Sequence, residues 1–474
     1  MSTLVHLLRE SVERSPDREA VTRGDHRLSY AELWDRVVRV AAFLKSQGIK
    51  SGARVGILLE NSPEYVVCHY GILAAGGTVV ALNAAERARR ISSTLKHCGA
   101  SWLFAAGGHR ELPAVAADMG RRVEIVAVGP LRASMDRECH DYNDILKNHA
   151  GGLEASFPDN AEGLASIIYT SGTTGDPKGV MLSHANLRAN VKSIVGYLGL
   201  TETDSIVNVL PFHYSYGNSV LHTHLAVGGR LVIHNGMLYP TKVLEVMAAE
   251  RVTGFSGVPS TFALLLGRAR LTDHDLSSLR YMTQAGGPMP PVNARRLQKA
   301  LPHVKLFVMY GQTEASARLS YLPPDRLGDK PGSCGIPIPG VRMEIRDEKG
   351  EPVAKGVTGE IWAKGDNVMQ GYWNNPGATA GVLVGGWLKT GDLAHVDDEG
   401  YFFIDGRSSD MIKSGAHRIS PQEVEEVIAE IDGVREVAVV GVPDELLGQA
   451  VKAVIVADDR AAVLQGQPGS AQGP

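Results

Sequence analysis

The densest run of anion-binding chemistry in the 474-residue chain is Tyr169-Thr170-Ser171-Gly172-Thr173-Thr174-Gly175-Asp176-Pro177-Lys178-Gly179. Glycines free the backbone N–H groups to turn toward an anion, and the Ser and Thr hydroxyls add donors. Lys178 supplies a mobile positive charge for outer phosphates. The apolar stretch Ser166-Ile167-Ile168-Tyr169 before it reads as the strand that presents the loop. The pattern is not GxxxxGK[ST], because Lys178 follows Asp176-Pro177 and precedes Gly179, which disfavours a GTPase or kinase of that class.

Further constellations follow in order. Pro211-Phe212-His213-Tyr214-Ser215-Tyr216-Gly217 offers an imidazole among aromatic rings, Ala285-Gly286-Gly287-Pro288-Met289 lets a flat ring approach the main chain, and Met309-Tyr310-Gly311-Gln312-Thr313-Glu314 ends a strand in an aromatic, a hydroxyl and a carboxylate. Gly386-Trp387-Leu388-Lys389-Thr390-Gly391-Asp392 supplies a carboxylate able to accept from a diol, and Gly406-Arg407 a guanidinium. Arg407 through Gly415 includes Ser409 and Lys413.

In this order the segments resemble the adenylate-forming superfamily: acyl-CoA synthetases, luciferases and the adenylation domains of peptide synthetases. The likeness runs from the N-terminal helices to about Val456. It implies an AMP-forming acid–thiol ligase that activates a carboxylic acid as acyl-AMP, releases pyrophosphate and transfers the acyl group to CoA. Two other outcomes stay open, loading of a carrier protein and a nucleotide-binding relative with little turnover. The resemblance assigns Thr170, Ser171, Gly172, Thr173, Thr174, Gly175 and Lys178 to the phosphates of ATP and His213 to a gate beside the acyl carboxylate. It assigns Gly286, Gly287, Pro288, Tyr310 and Gly311 to adenine and the acyl pocket, and Thr313 to the α-phosphate. Glu314 is assigned to Mg²⁺, Asp392 and Arg407 to the ribose, Ser409 to a hinge, and Lys413 to the catalytic set. Val308 stands where relatives often carry Asn, Gln or Asp for the adenine amine. Relatives also use a Lys in a C-terminal loop during adenylation; no Lys follows Lys452 here, so binding is expected to outlive fast turnover. Phe212–Ser219 contains no acid to pair an ammonium, which disfavours α-amino acids. Asn218, His222 and Gln284 add polarity to the expected acyl pocket.

These groups need a scaffold, and the surrounding pattern supplies one. Ser29-Tyr30-Ala31-Glu32 is a capping-box signature opening an amphipathic helix through Leu33, Val37, Val38, Ala41 and Leu44. Strand Val55–Leu59, a helix from about Pro63 and strand Thr78–Leu82 form a βαβ unit, and the alternation recurs from Asp204 to Phe307. The expected fold is α/β: a large domain over residues 1–407 with parallel-type sheets flanked by helices, and a β-rich subdomain from about 336 to 407. A small, incomplete α+β domain is expected over 408–459, opened by Ser420-Pro421-Gln422-Glu423 with strands near Val437–Val442 and Val451–Val456. Residues 460–474, rich in Gln, Gly, Ala, Ser and Pro, are expected to be disordered.

Composition limits the alternatives. Lys and Arg total 48 against 52 Asp and Glu, a net charge of −4, which argues against a duplex-binding surface. The four cysteines form no CxxC pair and read as reduced thiols. Neither a signal peptide nor a membrane span is evident, so the protein is expected to be cytoplasmic, with ATP, Mg²⁺ and CoA as its small molecules.

Overall fold

A computed structural model describes residues 3–150, 157, 159–170, 177–407, 411–414, 417–431, 433–444 and 448–457, with backbone only at 413, 417, 418, 422, 423, 426 and 448. The expectations for Ser171–Gly175, for the hinge at Ser409, for Gly415 and for the 460–474 tail lie outside the described residues.

The predicted capping box forms. Ser29 Oγ accepts from the Glu32 amide at 3.2 Å and the Glu32 carboxylate accepts from the Ser29 amide at 2.8 Å, starting helix Tyr30–Ser46. Its apolar stripe, including Trp34, Val37, Val40 and Leu44, is buried against helix Pro63–Ala74. Burial of such side chains stabilises the packing by about 1.5–3 kcal/mol each. At the crossing a Cβ on Gly71 would stand 2.6 Å from Val40, so the helices approach as closely as glycine permits.

Two large sheets organise the chain. An eight-stranded sheet runs in the order 371–372, 178–183, 164–170, 78–81, 54–58, 102–106, 124–128, 140–141. Its centre is parallel, as βαβ units require, but Leu164–Thr170 and Lys178–Ser183 pair antiparallel as a hairpin. The second sheet has 14 strands. Strands 205–208, 230–233, 254–257, 281–284 and 305–310 are parallel, and beyond 305–310 the pairing turns antiparallel through 320–322, 333–337, 402–407, 387–396, 359–365 and 341–346. The β-rich segment thus continues the sheet that carries Tyr310. Strand 371–372 leaves this region altogether and pairs with 178–183.

A third sheet of 4 strands, 417–419, 412–414, 448–457 and 434–444, packs with helix Pro421–Ala429. Cys68, Cys98, Cys139 and Cys334 are free thiols. Among the described residues no helix is long and apolar enough to cross a membrane.

Candidate active site

Strand Lys305–Tyr310 runs buried through the second sheet and releases its last side chain, Tyr310, at the sheet's C-terminal edge. Open α/β sheets place their ligand crevices at that edge. There a cleft of about 930 Å³ is lined by Gly286, Gly287 and Pro288, by Val308, Tyr310 and Gly311, and by Asp392 and Arg407. Pro421, Glu425 and Gln449 of the third sheet's unit close its far side.

Asp392 and Arg407 face each other as paired residues of neighbouring antiparallel strands. The Arg407 Nε donates to Asp392 Oδ1 at 3.0 Å and the Tyr310 hydroxyl donates to Asp392 Oδ2 at 2.6 Å. Burial pushes the Tyr310 phenol well above its usual range, so it stays a donor. Both carboxylate oxygens are thus held by side chains of the cleft, and a carboxylate is the acceptor that a ligand diol requires. The expected stacking surface, Tyr310, is thus also a prop for the carboxylate.

The backbone beside Tyr310 is tightly determined. A Cβ on Gly311 would meet the Ala317 carbonyl oxygen at 2.1 Å. Two non-glycine residues, Ser316 and Ala317, hold φ of 56° and 99°, a conformation that costs on the order of 1–3 kcal/mol each. Asn367 compensates: its Nδ2 donates to the Ala315 and Arg318 carbonyls at 3.0 and 2.8 Å, and its own carbonyl accepts from Ser316 Oγ at 2.7 Å. This turn aims Thr313 and Glu314. The Thr313 hydroxyl lies 3.1 Å from that of Ser215, the first residue of helix Ser215–Val227.

The Gly286–Gly287 turn is fixed from within. Gln284 is fully buried and donates to the Gly287 carbonyl at 2.7 Å, while Gly286 sits at φ 86°. Asn218 and His222 are buried as well, with Asn218 Oδ1 and His222 Nε2 lacking a partner among the described residues.

Thr170 closes one strand of the 164–183 hairpin and Lys178 opens the other, as direct cross-strand partners. Gly179 is required there, since a Cβ would approach Ile167 at 2.9 Å. The Lys178 ammonium lies 5.1 Å from the ring centroid of Tyr372, whose hydroxyl donates to Glu314 Oε1 at 2.8 Å. Thr170 and His213 line a separate small recess of about 100 Å³. Burial lowers the His213 imidazole to about 4, so it is neutral at physiological pH, and its Nε2 has no partner among the described residues. Lys413 belongs to strand Ile412–Ser414, and only its backbone is described.

The structure therefore gathers Gly286, Gly287, Pro288, Tyr310, Gly311, Asp392 and Arg407 around one cleft, and joins Lys178 to Glu314 through Tyr372. Sequence reasoning missed Gln284 as a shaper of the glycine turn, as well as Asn367 and Tyr372. Only the nearness of Gly371-Tyr372 to the other segments hinted at the last.

A nucleotide fits this donor set. The cleft pairs glycine-lined backbone with a supported carboxylate and a guanidinium, the combination a ring and a diol require. Among the described residues no three His, Cys, Asp or Glu side chains cluster as a metal cage. A single carboxylate such as Glu314 suits Mg²⁺, which keeps water and phosphate oxygens as its other ligands.

Comparison with known proteins gives the same picture over most of the chain. The AMP-binding enzyme family matches residues 8–373, and the AMP-binding enzyme C-terminal domain matches residues 423–468. The chain is 36% identical to a feruloyl-CoA synthase of Amycolatopsis over 94% of this chain and 87% of that protein. It is 31% identical to a long-chain-fatty-acid–CoA ligase of Bacillus subtilis over 96% and 85%. The anthranilate CoA ligase in complex with anthranoyl-AMP superposes with a TM-score of 0.89 at 27% identity, covering 96% of this chain and 87% of that one. ATP-bound MatB from Rhodopseudomonas palustris gives 0.86 at 31% identity, over 97% and 90%. The chain belongs to the AMP-binding enzyme family.

Proposed function

We propose that the protein activates a carboxylic acid with ATP, releasing pyrophosphate and forming an acyl-adenylate, and then passes the acyl group to the thiol of CoA. The observation that carries this reading is the single cleft in which Gly286, Gly287, Tyr310, Gly311, Asp392 and Arg407 converge. Relatives that are CoA ligases for aryl and fatty acids support it.

The residues divide the work. Adenine lies against the Gly286–Pro288 backbone and Tyr310, with Val308 adding an apolar wall in place of a polar reader of the base. Asp392 takes the ribose hydroxyls, held in place by Tyr310 and Arg407. Carboxylate attack on the α-phosphorus builds negative charge on the phosphoryl oxygens, which hydrogen-bond donors in a fixed position stabilise. Thr313 supplies such a donor, and Ser215 orients its hydroxyl. Lys178 and the hydroxyls of the phosphate loop hold the departing pyrophosphate. Glu314 would hold Mg²⁺, which when bound would neutralise charge on the phosphates. The neutral His213, unable to form an ion pair with the incoming acid, admits it without trapping it and shields the mixed anhydride from water. The thiol then displaces AMP, with Lys413 and the unit beyond Arg407 closing over the second step. We further place the enzyme in the cytoplasm, where ATP, Mg²⁺ and CoA are available.

The gate segment carries no acid for an ammonium group, so the substrates are aryl, fatty or small functionalised acids. Acid-dependent exchange of labelled pyrophosphate into ATP, run across a panel of such acids, tests the first step. Exchange with none of them would overturn the proposal. Thioester formation with CoA against holo-carrier protein tests the acceptor, and faster loading of the carrier would favour that alternative.

A further inference from the structure

Lys178 opens a strand of the eight-stranded sheet and Glu314 sits in the short helical turn Thr313–Ala315 that follows strand 305–310 of the other, yet one short segment stitches them together. Met369 N donates to the Glu314 carbonyl at 2.8 Å, Gln370 N to the Met181 carbonyl at 3.0 Å, and Trp373 N to the Gly179 carbonyl at 2.7 Å. Tyr372 pairs with Val180, two residues beyond Lys178. Asn367, at the start of the same segment, braces the turn that carries Glu314. Neighbouring residues thus anchor both the strand bearing the ammonium and the turn bearing the carboxylate. Tyr372 reaches both side chains: its hydroxyl donates to Glu314 Oε1 at 2.8 Å, and its ring lies 5.1 Å from the Lys178 ammonium.

We propose that Tyr372 is a positioning residue that sets the Glu314 carboxylate and the Lys178 ammonium on one triphosphate, coupling metal binding to phosphate binding. The inference rests on the reading of Glu314 and Lys178 given above. The chemistry of the two contacts differs. The hydroxyl occupies one lone-pair direction of Oε1, which restricts the carboxylate rotamer and leaves its remaining lone pairs for a hard cation. The ring attracts the ammonium through its quadrupole, without occupying an N–H bond as a second carboxylate would. A direct ion pair between the two would offer less to phosphate or to metal than two separately held charges do. Among the described residues Lys178 and Glu314 form no salt bridge with each other, and the tyrosine contacts both.

The test compares nucleotide affinities of the full chain by calorimetry, with ATP plus Mg²⁺, with ATP in EDTA, and with AMP. Tyr372→Phe keeps the ring and removes the hydroxyl. It is expected to weaken Mg²⁺-ATP binding by about tenfold, the scale of one hydrogen bond to a charged group. ATP in EDTA and AMP should bind as they do to the parent. Tyr372→Leu removes the ring as well, and is expected to weaken ATP in EDTA a further roughly threefold while sparing AMP. A merely structural role would weaken all three ligands together, and that result overturns the inference. Parental Mg²⁺-ATP affinity in Tyr372→Phe also overturns it. Glu314→Gln separates the two readings. If it keeps the Mg²⁺-dependent gain in affinity, the assignment of Glu314 to the metal fails and the inference fails with it. If it loses the gain while Tyr372→Phe keeps it, the role of Tyr372 alone is refuted.

Discussion

Mild acid is expected to unfold this protein through four buried histidines that its fold keeps neutral. His69, His184, His222 and His224 are between 1% and 6% exposed. Burial lowers His69 to about 3, His184 and His224 to about 4, and His222 well below its ordinary value. Their contacts have the same sense. His224 lies between the Val220 carbonyl at 2.9 Å and the Tyr281 hydroxyl at 2.7 Å, which one neutral tautomer satisfies by donating to the first and accepting from the second. The rings of His69 and His222 lie 5.0 Å apart, so charging one opposes charging the other. In the unfolded chain each imidazole titrates near pH 6.5. Because the folded values are lowered, their contribution to stability is complete above that pH and is lost progressively as the pH falls toward 4. At pH 5 each group costs about 2 kcal/mol, and four together about 8 kcal/mol, comparable to the whole stability of many domains. The lowered carboxylates, such as Asp204 and Asp397, titrate below this window and do not obscure it. Urea unfolding at pH 7.5, 6 and 5 checks the slope. Stability should be flat above pH 7 and fall steeply below 6, with unfolding at pH 5 taking up close to one proton for each of these imidazoles and a further one for His213, which burial also lowers to about 4. An uptake below one proton would refute the reasoning. His222 and His224 ride on the helix that begins at Ser215, so nucleotide binding should disappear with the fold and not before it.

Asp392→Asn should weaken AMP and ATP alike by about 10- to 100-fold, as a charged acceptor shared by Tyr310 and Arg407 is lost; calorimetric titration with both nucleotides checks the equality. Lys178→Met should leave AMP affinity intact but slow pyrophosphate exchange by about 10²–10³, a donor lost where charge develops. Gly311→Ala should destabilise the protein by about 1–3 kcal/mol, because its Cβ would collide with the Ala317 carbonyl; a urea midpoint and nucleotide affinity measured together should both fall.

Local chemistry was readable in the sequence, and remote chemistry was not. The Ser29–Glu32 capping box closes within one turn, so spacing alone revealed it. The segments ending in Tyr310 and Asp392 were legible because their residue types announce a function even before a partner is known. Their hydrogen bond spans 82 positions, and nothing in either segment specifies it. Tyr372 reads along the chain as an ordinary apolar residue of a short strand. Its meaning comes from pairing with 178–183, a sheet other than the one its neighbours join. Gln284 reads along the chain as polarity for an acyl pocket, and only the fold shows that its amide also bonds the glycine turn beside it. Antiparallel continuation of the second sheet past Tyr310 escaped the pattern for the same reason: period tells a strand from a helix, and pairing partners lie far away.

The central claim is that a carboxylate oxygen attacks the α-phosphorus in the cleft formed by Gly286, Tyr310, Asp392 and Arg407. Turnover of an acid labelled with ¹⁸O in its carboxyl group, followed by mass spectrometry of the nucleotide product, tests this directly. The account predicts one labelled oxygen in AMP and none in pyrophosphate. Label in inorganic phosphate, with ADP as the nucleotide product, would contradict it.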